Sequence, residues 1–69
     1  LKDVRRLLDM LPMIQREVVY MRFYQQLSFK EIAETTNCSI NTALGRMRYA
    51  VLNMRRMAKT YGMTLQLSI

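Results

Sequence analysis

The sequence predicts an all-α domain of four helices that ends in a helix-turn-helix. Apolar residues recur at intervals of about 3.6 along nearly the whole chain. Glycine and proline, which interrupt helices, occur only at Pro12, Gly45 and Gly62. Two serines, Ser28 and Ser39, stand where a helix start favours a hydroxyl cap. We therefore expect helices near residues 2–10, 12–26, 28–36 and 39–60.

The first two helices are predicted on either side of Pro12. The segments LKDVRRLLDML and MIQREVVYMRFYQQL each carry an apolar stripe at helical spacing. Pro12 favours an extended residue before it and a new helix start after it. Such a small domain has a thin core. We expect part of the stripe to stay only partly covered and to accept an apolar partner helix. The residues of this predicted docking surface are Leu7, Leu8, Leu11, Ile14 and Val18.

The third and fourth helices are predicted from signals at their ends. Ser28 followed by Glu31 is the spacing of a capping box, which begins a helix. Asn37 tolerates the left-handed conformation that closes a helix, and Ser39 can cap the next one. Ala33 is small enough to let the two helices approach. The motif is thus expected at about residues 28–60. Residues expected to pack at its junction are Ile32, Ala33, Ile40, Ala43 and Met47.

The positive charge is concentrated in the second half of the chain. The formal charge is +6; residues 1–34 hold six bases and five acids, whereas residues 35–69 hold five bases and no acid. From residue 40 onwards the apolar side chains fall on one helical face and the polar and basic ones opposite. A basic helix with one face in the core leaves the other free for a polyanion, although a merely soluble basic surface is the simpler alternative. In a helix-turn-helix the second helix enters the major groove of DNA.

The start of this basic helix supplies the candidate base-reading residues. Asn41 and Thr42 have short polar side chains that can reach base edges or phosphates, with solvation or capping of the helix N-terminus as the alternative. Gly45 costs about 1 kcal/mol in a helix interior relative to alanine. Close approach of the helix to DNA would explain this glycine, and so would a helix crossing inside the protein.

Other candidate DNA contacts surround that start. Arg46 and Arg48 flank the surface on opposite sides and are expected to bind phosphate or guanine. The alternatives are a solvated face or intramolecular pairing with Glu31 or Glu34. Tyr49 is a candidate phosphate contact or a packed rim residue. Lys30 lies at the start of the preceding helix and is either a candidate phosphate contact or simply an exposed side chain. Cys38 is expected to be a small apolar side chain in the turn.

Composition excludes several other functions. The chain has no histidine and one cysteine, so a His/Cys zinc site, an internal disulfide and a histidine-based catalytic triad cannot be built from it. We expect neither an enzyme nor a cofactor. No apolar run approaches the roughly 20 residues of a membrane span. The apolar helix face is needed for the core, which disfavours a membrane-surface helix.

The chain begins at Leu1, so we expect it to be a piece of a longer protein. Residues 1–62 are the expected domain, and the alternating segment 63–69 is an expected loose tail or edge contact.

The ordered set of motifs resembles region four of bacterial sigma-70 family factors, especially the extracytoplasmic-function class. The shared frame runs from about residue 10 to 56. Its members here are Leu11-Pro12, Gln15-Arg16-Glu17-Val18, Arg22, Leu27-Ser28, Glu31-Ile32-Ala33-Glu34, Ser39, Thr42, Arg46 and Ala50. The chain departs from the family's pattern at Asn37, where glycine is frequent, and at Leu44 and Gly45, where many relatives carry lysine and serine.

The resemblance implies a four-helix domain with a helix-turn-helix, of the winged-helix-like or sigma region 4 type. It implies recognition of the upstream (minus-thirty-five) element of double-stranded promoter DNA. It also implies docking on the flap of the RNA polymerase β subunit, with an anti-sigma factor as a further candidate partner. The expected compartment is the bacterial cytoplasm. Two alternatives stay open: a helix-turn-helix domain of another regulator, and a module that chiefly binds polymerase or an anti-sigma factor.

Overall fold

The computed structural model describes the backbone of residues 2–62 and the side chains from Val4 to Gly62. Four helices follow one another, and no strand occurs within this part of the chain. Their bounds are α1 Lys2–Met10, α2 Met13–Val19 continued by a π-helical turn Tyr20–Tyr24, α3 Phe29–Thr35 and α4 Ile40–Thr60. The predicted all-α fold with a terminal helix-turn-helix is confirmed. The expected tail, residues 63–69, lies outside the described residues.

The second helix begins as predicted but ends earlier than expected. Pro12 is its N-cap, and the Pro12 carbonyl accepts the Arg16 amide at 2.9 Å. We expected the helix to reach residue 26, yet it ends at Tyr24 because Gln26 takes a left-handed φ of 57°. The amide of Leu27 then donates back to the Met21 carbonyl at 3.0 Å, which closes the helix end.

The core lies around α4, against which α1, α2 and α3 all pack. Because α4 is 21 residues long, roughly 30 Å at 1.5 Å per residue, it can contact every other helix. No charged or polar side chain is buried among the described residues. The buried residues of α4 are Ala43, Met47, Ala50, Val51, Met54 and Ala58, which all belong to its predicted apolar face.

One expectation about burial at the junction of the motif is wrong. Ile40 was expected in the junction of the motif, but its side chain is 46% exposed. It is the first residue of α4, and burial on that helix begins one turn later, at Ala43. The other four junction residues are buried as predicted. These are Ile32, Ala33, Ala43 and Met47.

The predicted docking surface on the first two helices is mostly internal. Of its members only Ile14, at 55%, is exposed. The others are fully or almost fully buried: Leu7, Leu8, Leu11 and Val18. A domain this small needs nearly all of its apolar stripe to build one core, so little of the stripe is left over for a partner.

Candidate nucleic-acid interface

The helix preceding the turn is held at both ends by local hydrogen bonds. At its start the Ser28 hydroxyl accepts the Glu31 amide at 3.0 Å, and the Glu31 carboxylate accepts the Ser28 amide at 2.9 Å. This is the predicted capping box. The Ser28 backbone bond, followed by the Ser28 side-chain bond, holds the pKa of Glu31 below its ordinary value. The charged form of Glu31 is therefore favoured at the N-terminus of α3.

The turn between α3 and α4 has the geometry predicted for Asn37. Its φ is 55°, in the left-handed region. The Asn37 amide donates to the Glu34 carbonyl at 3.3 Å, and the Cys38 amide donates to the Ala33 carbonyl at 2.9 Å. This pair of bonds satisfies the last carbonyls of α3 in a Schellman arrangement. The turn thereby fixes the direction of α4 relative to α3.

The first turn of α4 presents short polar groups to solvent. The Ser39 hydroxyl accepts the Thr42 amide at 3.0 Å, which confirms the predicted cap, and donates to the Thr42 hydroxyl at 2.9 Å. Since Ser39 supplies that proton, the Thr42 hydroxyl proton stays available as a donor. Asn41 is also exposed. These two side chains offer hydrogen-bond donors and acceptors at the N-terminal end of α4. In a helix-turn-helix, this end of the second helix lies nearest the base edges.

The next two turns carry the remaining candidates of α4. Arg48 is exposed, and Tyr49 is 66% exposed, so Tyr49 is not a packed residue. Gly45 is half-buried, yet a Cβ built there would meet no heavy atom within 4 Å. That open space argues against the helix crossing considered for Gly45. Lys30 is exposed on the first turn of α3.

Arg46 behaves differently from its neighbours. It is half-buried, and its Nη1 lies 3.7 Å from the Cys38 Sγ, to which it donates. Cys38 is itself half-buried and in contact with the Thr36 hydroxyl at 3.2 Å. The sequence indicated only a small apolar side chain at Cys38. Its eight-residue separation from Arg46 follows no local motif, so no sequence signal predicted the contact.

A groove lies between α1 and α2. It has a volume of about 550 Å³ and is lined by both apolar and charged side chains. The rings of Tyr20 and Tyr24 stack on one side with centroids 5.4 Å apart, and Met13 is 70% exposed. The lining residues are Arg5, Leu8, Asp9, Met13, Arg16, Glu17, Tyr20 and Tyr24.

Neither a metal site nor a membrane span appears in the described part of the chain. Between residues 2 and 62 no cluster of three histidine, cysteine or acidic side chains could hold a metal ion. Over the same residues no helix combines the length and the hydropathy needed to cross a membrane.

Comparison with known proteins bears on the same region. Residues 1–49 match the family model described as Sigma-70, region 4. The match covers the first three helices, the turn and the first half of α4, and so includes every candidate DNA-binding residue named above. No curated protein and no solved structure matches the chain significantly.

Proposed function

Because the chain belongs to the sigma-70 region 4 family, we propose that it reads the upstream (minus-thirty-five) element of bacterial promoters. The family is one of DNA-binding domains of transcription-initiation factors and not an enzyme family. The extracytoplasmic-function class is part of our proposal and rests on the sequence frame. Family membership favours a sigma factor over another helix-turn-helix regulator. The proposed activity takes place in the bacterial cytoplasm.

The observation that carries the proposal is the exposed start of α4. Asn41 and Thr42 project from the first turn directly after the turn of the motif, and Arg48 is exposed one to two turns later. The chain contains no acid after Glu34, so no carboxylate on α4 would repel phosphate. Asn41 and Thr42 are assigned to base reading, and Arg48 and Lys30 to backbone phosphates. The open space at Gly45 leaves room for DNA to approach the helix.

The test separates base reading from phosphate binding. Asn41→Ala and Arg48→Ala are each titrated with a promoter duplex and a random duplex across a salt series. Asn41→Ala should cost about 1–3 kcal/mol on the promoter and much less on random DNA. Arg48→Ala should weaken both duplexes alike and reduce the salt slope by about one unit.

The matched control is Arg6→Ala, which removes an equal charge from an exposed position on α1. It should leave promoter preference intact and change the slope less than Arg48→Ala. Equal losses for Asn41→Ala and Arg48→Ala on both duplexes, with equal slopes, would refute the division of roles. Full affinity in both variants would mean that α4 does not read DNA.

A second proposed function is docking on RNA polymerase, a partner that the family implies. The burial of the expected surface moves the proposed contact to Ile14 and the neighbouring groove, where Met13, Tyr20 and Tyr24 are exposed. An apolar helix of the β-subunit flap would cover these side chains, and the charged side chains of the groove would orient it. An anti-sigma factor is a competing occupant of the same groove.

Docking is tested by NMR titration with the flap segment. Met13→Asp should abolish binding without unfolding the domain, because Met13 is largely exposed. Leu52→Asp is the matched control, since Leu52 is also an exposed apolar residue but lies on α4. Chemical-shift changes confined to α4, or equal losses for the two variants, would contradict docking in the groove.

A further inference from the structure

A chain of polar contacts connects α4 to the end of α3 through the turn. Arg46 Nη1 donates to Cys38 Sγ at 3.7 Å. Cys38 Sγ lies 3.2 Å from Thr36 Oγ1, and Thr36 Oγ1 donates to the Ile32 carbonyl at 2.7 Å. Arg46, Cys38 and Thr36 are all half-buried, so these contacts are partly shielded from water.

The donors in this chain can be assigned by counting protons. A threonine hydroxyl has one proton, and Thr36 donates its proton in the hydrogen bond to the Ile32 carbonyl. The contact between Thr36 and Cys38 must therefore be made by the thiol proton, with the Thr36 oxygen accepting. The sulfur lone pairs are then left to accept from Arg46. The donors therefore all point the same way, from the Arg46 guanidinium through Cys38 and Thr36 to the Ile32 carbonyl in the last turn of α3.

We propose that Cys38 is a positioning residue for the DNA-binding surface, because its sulfur holds the Arg46 guanidinium beside the turn in the orientation that meets a backbone phosphate. The proposal rests on the DNA-binding function proposed above. A guanidinium has five N–H donors, and the sulfur occupies one of them, so the others remain for a phosphate. Cys38 thus acts on DNA through Arg46 and does not itself touch it.

Holding a long side chain in place before binding lowers the ordering cost of the complex. Such preorganisation contributes about two- to tenfold in affinity for one side chain. It should leave the number of phosphates neutralised unchanged, since the charge of Arg46 is present with or without Cys38. Affinity and salt slope therefore separate the role of Cys38 from that of Arg46.

The experiment is a double-mutant cycle on the whole chain with Cys38→Ala, Arg46→Ala and the double variant. Promoter-duplex affinity is measured across a salt series, and melting temperature is measured in parallel. Cys38→Ala should bind about two- to tenfold more weakly with an unchanged salt slope. Arg46→Ala should lower the slope by about one unit. In the Arg46→Ala background, Cys38→Ala should cause no further loss of affinity.

Cys38→Ser provides the conservative control. A serine hydroxyl reaches less far than a thiol, but the long Arg46 side chain can follow it, so most of the affinity should return. If Cys38→Ala loses the same factor with or without Arg46, its effect is on folding alone and the positioning role is wrong. Wild-type affinity in Cys38→Ala would overturn it too. If the wild-type chain binds no duplex, the proposed DNA-binding function itself fails, which is a different outcome from a failed cycle.

Discussion

The connections that lead into α3 and α4 are built alike. Each contains a residue other than glycine in the left-handed region, Gln26 at φ 57° and Asn37 at φ 55°. Two residues later each has a serine N-cap, Ser28 or Ser39, whose hydroxyl accepts the amide three residues on at 3.0 Å. A left-handed residue ends one helix, and a serine begins the next. The two helices therefore start from the same local device.

They differ at the third residue of the helix. In α3 this residue is Glu31, whose carboxylate returns to the Ser28 amide and completes a capping box. In α4 it is Thr42, which has no charge and bonds to the Ser39 hydroxyl instead. A carboxylate at a helix N-terminus stabilises the helix, but it would repel the phosphates of an incoming duplex. The start of α3 therefore favours stability, and the start of α4 leaves the positive end of the helix open to a polyanion.

The largest expected effect comes from giving α4 the same start as α3. Thr42→Glu should complete a capping box with Ser39 and stabilise the domain by about 0.5 kcal/mol. The same carboxylate should weaken promoter binding at least about tenfold, by charge repulsion and by loss of the threonine contact. Thermal unfolding and duplex titration of one preparation measure both effects.

Thr42→Gln is the control for the charge of the introduced glutamate. A glutamine amide has nearly the same shape as the carboxylate and can also take part in the capping box. It should bind DNA better than Thr42→Glu, and the difference should shrink as salt rises. If the two variants lose affinity equally at all salt concentrations, the side-chain shape of residue 42 matters and its charge does not.

The sequence predicted the features that depend on a few neighbouring residues. The Ser28–Glu31 box, the left-handed Asn37 and the Ser39 cap each require side chains within four positions, and the structure contains all of them. The periodicity of α4 likewise identified its buried face. Such local signals survive because backbone geometry alone brings the groups together.

Features that depend on packing between distant segments could not be predicted in this way. Helical spacing placed Ile40 on the apolar face, but burial on that face begins only at Ala43, where the packed domain covers the helix. Spacing also placed Leu7 on an apolar stripe without showing that the assembled core buries it completely. The contact of Arg46 with Cys38 depends on the turn, which brings together two residues that are eight positions apart. The open space at Gly45 is likewise a property of the assembled domain.

The left-handed residues offer a smaller test of the comparison. Asparagine tolerates this conformation better than glutamine, and glycine adopts it without a Cβ clash. Gln26→Gly should therefore stabilise the domain by about 1 kcal/mol, and Asn37→Gly by less. Urea unfolding measures both differences. A larger gain at residue 37 would show that the turn of the motif is the more strained of the two, contrary to expectation.

The smallest expected effect is the pH dependence of the two helix starts. The Ser28 bonds lower the pKa of Glu31 in the folded chain, so the folded state favours the carboxylate. Its contribution to stability should be complete above the ordinary glutamate pKa of about 4.3 and be lost as pH falls through the lower folded pKa. Glu31→Gln keeps an oxygen for the Ser28 amide but has no charge to lose. The melting-temperature difference between wild type and Glu31→Gln should thus be constant near neutral pH and shrink in acid.

The Thr42→Glu variant should acquire a second contribution to stability that fades in the same acidic range, because it has the capping box at both helix starts. If that variant shows only the wild-type pH dependence, the two starts are not equivalent, and their difference involves more than the residue at the third position.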